Sequence, residues 1–187
     1  MNSLHNHLLI AMPSLQDPFF KRSVTYLCEH NDEGAMGLVI NQPIDMDLDD
    51  LLRQMKIKQD DFVLPAGLRN RVVVGGPVTP ERGFVLHSPV RGLASSQSLT
   101  TDLMITTSKD VLATIGSQQA PSRYLVALGY AGWSAGQLEE ELASNSWLTI
   151  PADLDLLFDV PLEERWSEAT RRLGIDVWQL SSDVGHS

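Results

Sequence analysis

Ser23-Val24-Thr25-Tyr26-Leu27-Cys28-Glu29-His30-Asn31-Asp32-Glu33-Gly34-Ala35-Met36-Gly37-Leu38-Val39-Ile40-Asn41 reads as a β-hairpin, and the fold class hangs on it. From Ser23 to His30 the residues alternate. Val24, Tyr26, Cys28 and His30 fall on one face of a strand, and Thr25, Leu27 and Glu29 on the other. Asn31-Asp32-Glu33-Gly34 is hairpin-turn chemistry, and Ala35 to Asn41 returns as the partner strand.

Upstream, His7 to Met12 is a short apolar strand stopped by Pro13. Downstream, Pro43 closes the hairpin. Asp45 or Asp47 then caps a helix in which Leu48, Leu51, Leu52 and Met55 recur at helical spacing. Lys58 to Asn70 is polar and irregular. Arg71 to Val74 is a buried-type strand leading into Gly75-Gly76-Pro77, with Gly83 to His87 expected as its antiparallel neighbour. Leu99 to Thr107 reads as one strand, followed by a helix capped by Thr107 or Ser108 and stopped at Gly116. Tyr124 to Leu128 is a further strand, Gly129 to Gly136 a glycine-rich turn, and a helix starts near Gln137. Trp147 to Ile150 is a short strand. The last helix runs from Pro161 to Gly174 with Leu162, Trp166, Ala169 and Leu173 as its buried stripe, and Ser181 to Ser187 is a polar tail. Strands come early and helices late, without βαβ alternation. That pattern predicts an α+β protein with a mixed, largely antiparallel sheet, in a single domain over 1–187.

The 187 residues are 43% hydrophobic and 20% charged, which suits a globular chain that needs no disulfide or metal to fold. No apolar run reaches membrane-spanning length, and the N-terminus has no basic signal region, so a cytoplasmic protein is expected. Its one cysteine, Cys28, fits a reducing compartment. The formal net charge is −10, and the cations are scattered short groups. Between Leu138 and Glu168 nine carboxylates face the single Arg165, which reads as a solvated acidic face. A field of that sign repels a phosphate backbone, so direct DNA binding is disfavoured.

Two glycine-rich segments are the candidate ligand sites. Gly129, Tyr130, Gly132 and Trp133 lie between a strand and a helix start, where exposed N–H groups favour an anion. Their spacing fits neither the dinucleotide fingerprint nor the P-loop, and a tight packing turn explains them more simply. Gly75 and Gly76, with Arg82 and His87, could address a carboxylate or phosphate if both side chains turned toward one cleft. A bulge or close backbone approach is the simpler reading there too. Cys28 and His30, two residues apart on one strand face, would make a nucleophile–base pair, yet Cys28 between apolar neighbours reads as a core residue. No zinc set is present, and no G-x-S-x-G elbow. Asp45, Asp47, Asp49 and Asp50 lack the glycine and closing glutamate of a calcium loop. No recognition helix follows Gly116. No catalytic residue, metal or cofactor is expected.

Several blocks together resemble the bacterial AlgH/YqgE family. They are His7-Leu8-Leu9-Ile10-Ala11-Met12-Pro13 with Asp17-Pro18, Cys28-Glu29-His30, Gly34-Ala35-Met36-Gly37 and Asn41-Gln42-Pro43. Gly75-Gly76-Pro77-Val78, Arg82 to His87, Thr107 to Leu112, Ala127 to Trp133 and Gly136-Gln137-Leu138-Glu139 complete the set. The resemblance covers nearly the whole chain and is weakest from about Ile57 to Asn70. It implies a branched sheet closing into a pseudo-barrel with flanking helices. It implies no agreed activity and no established catalytic residues. One member is named as a regulator of alginate synthesis, so the resemblance also implies a transcriptional-regulator label. With the acidic charge, this gives the expected function as a non-enzymatic cytoplasmic regulator or adaptor acting through an unidentified protein partner. The alternative is a small-ligand binder or enzyme using a cleft between the Gly75–Pro77 and Gly129–Trp133 turns.

Overall fold

The computed structural model describes residues 3–69 and 71–174. The hairpin forms as read, from β2 (Val24–Asn31) and β3 (Gly34–Val39). One feature of it was not legible. The register steps from Leu27↔Gly37 to Glu29↔Met36, a β-bulge that inserts one residue at Cys28. Cys28 therefore stays with Val24 and Tyr26 in one core cluster, while His30, opposite Ala35, turns to the face of Leu27. The expected Cys28–His30 pair on one face is thus broken by the bulge.

On one side of the hairpin stand β1 (His7–Ala11) and then β9 (Trp147–Pro151). On its other side lies β8 (Tyr124–Ser134), the longest strand and the point where the sheet forks. β5 (Val78–His87) runs along one edge of β8, with Gly83–His87 opposite Leu128–Tyr124 and Val78 opposite Tyr130. The other edge is divided: β3 pairs with Ala131–Ser134, and β4 (Val72–Val74) pairs in parallel with Val126–Leu128. Gly75 sits in the crotch of the fork, donating from its N–H to Leu128 O and accepting from Val39 N–H, both at 2.8 Å. The hairpin of β6 (Ser96–Thr100) and β7 (Leu103–Thr106) extends the sheet beyond β5. The result is an α+β fold whose branched, largely antiparallel sheet curls into a partial barrel, as the resemblance implied.

Three local expectations change. Gly83–His87 pairs with β8 and β7, not with β4. Leu99–Thr107 is broken at Thr101-Asp102 into the β6–β7 hairpin, with Asp102 N–H donating to Thr100 Oγ1 at 3.1 Å. Gly129 to Ser134 is strand, not turn. Glycines mark turns when the chain must reverse; here they let neighbouring backbones approach the strand at an irregular step in the β5–β8 register.

Among the described residues five α-helices flank the sheet: α1 (Leu48–Gln54), α2 (Asp110–Thr114), α3 (Gln137–Ala143), α4 (Leu154–Phe158) and α5 (Arg165–Arg172). The α4 turn has no sequence reading behind it. Pro161 precedes a short 3₁₀ turn at Leu162–Glu164, and the α-helix itself begins only at Arg165. Successive residues of β8 supply opposite layers. Leu125 and Ala127 meet α4 and α5 with Leu156, Phe158, Trp166 and Ala169, whereas Tyr124 and Val126 meet α1 and α2 with Leu48, Leu52, Val111 and Ile115. A third cluster joins Leu9, Leu27, Trp133 and Trp147 to Leu138 of α3. Both faces are covered, so β1 is a continuous apolar run and not an alternating one. Ser181–Ser187 lies outside the described residues. No helix among the described residues is long and apolar enough to cross a membrane.

Candidate functional site

The eight residues singled out from sequence separate into four places. Gly75, Gly76, Gly129 and Tyr130 meet at the fork. A Cβ on Gly75 would lie 2.4 Å from Gly129 O, and one on Gly76 only 1.9 Å from the Tyr130 carbonyl carbon. Gly129 adopts φ +78°, and its Cβ would lie 2.4 Å from Gly76 O. These glycines hold two backbones at a separation that no side chain permits.

Gly132 and Trp133 lie farther along β8. Trp133 donates from its indole N–H to Glu141 Oε1 at 3.0 Å, and Trp147 donates to the same oxygen at 2.8 Å. Gln137 donates to Glu141 Oε2 at 2.9 Å. Glu139 accepts from His30, so two members of the acidic triplet point inward as anchors, and the reading of a wholly solvated face fails at both.

Arg82 and His87 do not share a cleft. Arg82 is exposed, its guanidinium 5.3 Å from the Phe84 ring centroid. His87, at the far end of β5, is fully buried. Its Nδ1 lies 2.8 Å from Ser88 O, which fixes the proton on that nitrogen. Nε2 must then accept, from Thr106 Oγ1 at 2.6 Å, and Thr106 in turn receives Ser96 Oγ at 2.8 Å. Burial holds the His87 pKa below its ordinary value, against the opposing pull of the Ser88 carbonyl.

The Asp47, Asp49 and Asp50 carboxylates come within 4.8 Å of one another, the one such group found among the described residues. The oxygens of Asp49 and Asp50 serve the chain. Asp49 accepts the Leu64 N–H at 3.1 Å and pairs with Arg69 at 3.2 Å, while Asp50 pairs with Arg53. Neither Thr107 nor Ser108 caps α2 as expected; Lys109 holds the N-cap position, with no side-chain capping bond. Instead Ser108 Oγ donates to Ala94 O at 2.5 Å and Asp110 accepts the Ala94 N–H at 2.7 Å, pinning the preceding loop.

Two concave surfaces flank the segment Asp159-Val160-Pro161. One is a groove of about 530 Å³ that includes Glu164, Ser167, Glu168 and Arg171 in its lining. The other is a cavity of about 190 Å³ between the two helical layers, where Arg71 and Arg165 meet Tyr124. Sequence reasoning had noted Arg165 only as the lone cation in an acidic stretch. Arg71 and Arg165 lie 94 positions apart, and no local pattern links them.

The fork at β8, the curled sheet and the layered helices define a class of α+β protein in which a shared central strand feeds two half-sheets. The AlgH protein of Pseudomonas aeruginosa has this fold: its solution structure superposes with a TM-score of 0.77 at 47% identity, covering 96% of this chain and 94% of that one. A Corynebacterium diphtheriae protein at 18% identity shares the fold, with a TM-score of 0.72 over 97% and 92% of the two chains. A family model described as AlgH-like matches residues 8–178. UPF0301 proteins of Shewanella loihica and Idiomarina loihiensis are each 58% identical, over the full length of both chains. The chain belongs to the AlgH-like, UPF0301 family, whose biochemical role is not established.

Proposed function

We propose that this chain is a non-enzymatic cytoplasmic regulator or adaptor that works by protein contact and not by gripping nucleic acid. The observation that carries the reading is the disposition of charge. Arg53, Arg69, Arg123, Arg171 and Arg172 are each held in an ion pair with a carboxylate of the chain, and Arg165 is buried. Cations already paired have little counter-charge to offer a polyanion.

The acidic groove on α5 is the complementary feature. Asp159, Glu164 and Glu168 outnumber Arg171 in its lining; Asp159 already pairs with Arg123, and Glu168 with Arg171 and Arg172, so Glu164 is the carboxylate left to meet a basic segment of a partner. Cys28 and His87, residue types suited to nucleophilic or acid–base work, are sealed in the core, which supports the non-enzymatic reading. A lone buried thiol suits a reducing compartment.

The test is an NMR titration of the full chain with a short Lys/Arg-rich peptide, beside the same titration with duplex DNA at low salt. The peptide is expected to shift the amides of Asp159, Glu164 and Glu168, and Glu164→Lys to weaken it. Sequence-specific duplex binding, or peptide contacts confined to another face, would overturn the proposal.

A further inference from the structure

We propose that the cavity lined by Arg71, Tyr124 and Arg165 is a binding site for a small phosphate-type oxyanion. This goes beyond the protein-contact reading and is independent of it.

Arg165 is the fixed wall. Its side chain comes from the first turn of α5 and is 4% exposed. Nε donates to Val160 O at 2.8 Å and one terminal nitrogen to Ile40 O at 2.5 Å. Those bonds lock the guanidinium plane and leave the remaining terminal nitrogen without a hydrogen-bond partner among the described residues. No carboxylate among the described residues lies within ion-pairing distance of it. A buried guanidinium hydrogen-bonded only to two neutral carbonyls, with Asp159 and Glu163 acting on it from beyond ion-pairing distance, is an incompletely compensated charge, the situation in which a bound counter-ion contributes most.

Arg71 brings a second positive charge to the same cavity. Its guanidinium lies 5.4 Å from the Tyr124 ring centroid, and it makes no ion pair among the described residues. The two arginines feel each other: burial first, and then repulsion from Arg71, lowers Arg165 to about 10. Tyr124 supplies the third element. It is 4% exposed, and its hydroxyl has no hydrogen-bond partner among the described residues. An orphaned buried hydroxyl is uncommon and calls for an explanation, of which an absent ligand is one.

The rest of the lining sets size and selectivity. Leu125, Phe158 and Leu162 are apolar and lower the local dielectric, which strengthens each charge-assisted bond. The one carboxylate in the lining, Asp159, is held by Arg123 at 3.1 Å. At about 190 Å³ the cavity falls below the roughly 300–1,000 Å³ of drug-sized sites. It suits a single phosphoryl or sulfuryl group and not a whole nucleotide. Two guanidiniums and one hydroxyl are the donor set for that group, because arginine matches oxyanion geometry with paired N–H donors. Inorganic phosphate and a phosphate ester share this chemistry, and the experiment separates them.

The test is thermal unfolding of the full chain in sodium phosphate against sodium chloride at matched ionic strength, repeated with O-phosphoserine. Phosphate is expected to raise the wild-type Tm, since a ligand of the native state stabilises it. Arg71→Gln removes no side-chain hydrogen bond among the described residues and should abolish the rise. Arg171→Gln, in the neighbouring groove, should leave it intact. Tyr124→Phe should keep or slightly raise the Tm without phosphate, because it deletes an unpaired buried hydroxyl. The same change should weaken phosphate about tenfold, the loss expected for one hydrogen bond to a charged group. A purely structural Tyr124 would not give that split. Stabilisation by O-phosphoserine alone, lost in Arg71→Gln, would support the site and assign it to an esterified phosphate. An equal rise in Arg71→Gln and wild type, or no rise with either compound, would overturn the proposal.

Discussion

His30 and Glu139, 109 positions apart, are joined by a hydrogen bond of 2.5 Å between the imidazole Nε2 and Oε1. Nδ1 of the same ring accepts the Leu4 N–H at 2.8 Å, so the proton resides on Nε2 and is donated to the carboxylate. The bond ties β2 to α3 and fixes the chain entering β1. Glu139→Ala leaves a buried N–H without a partner and is expected to cost about 1–3 kcal/mol in urea unfolding. Glu139→Gln, which keeps an acceptor oxygen, should cost less. The His30 hydrogen bond also holds the Glu139 pKa below its ordinary value of 4.5. A depressed carboxylate contributes stability that is present above that value and lost as pH falls through the lower, folded-state one.

Glu141 holds two indoles at once, with Trp133 and Trp147 only 7% and 4% exposed. Glu141→Ala orphans both N–H groups and should destabilise by about 2–4 kcal/mol. The tryptophan emission maximum should shift as their surroundings loosen. Glu141→Asp, one methylene shorter, should lose one of the two bonds and fall between.

The fork predicts a sharp contrast among glycines. Gly76→Ala drives a methyl into the Tyr130 carbonyl and is expected to cost about 3 kcal/mol or more, or to prevent folding. Gly132→Ala, whose Cβ would sit 3.6 Å from the Tyr130 ring, should be neutral or stabilise by about 0.5 kcal/mol. Urea midpoints of the two variants, measured side by side, check the relation; equal effects would contradict it.

His87 makes stability depend on pH below neutrality. Its folded pKa is lowered from 6.5 by burial, so the unfolded chain takes up the proton first. Stability is therefore full above that ordinary value and declines as pH falls toward the folded one. The slope can reach about 1.4 kcal/mol per pH unit for one proton. His87→Gln should flatten the wild-type decline that begins as pH falls below the ordinary value of 6.5. A slope unchanged by the substitution would assign it to other groups.

Hydrophobic alternation and turn chemistry were enough to read the β2–β3 hairpin, strands β1 and β9, α1 and the start of α3, because each is set by neighbours a few residues away. The α+β class was legible in the same way, and the AlgH-like family through the resemblance carried by the blocks from His7 to Glu139. Secondary-structure reading went furthest astray at Gly129–Trp133, which is strand and not turn. The same glycines serve a turn or a crowded strand equally well, and only the approach of Gly76 at the fork decides between them.

The sequence by itself determined which segments extend, which coil, and that the chain carries net negative charge. Tertiary structure alone decided that β8 would be shared between two half-sheets and that the bulge at Cys28 would turn His30 toward Glu139. It alone brought Arg71 to Arg165 around an orphaned tyrosine hydroxyl. The physical reason is range: backbone preference and periodicity act over a few residues, whereas forks, buried charges and cavities are made by pairs roughly a hundred positions apart, which only packing brings together.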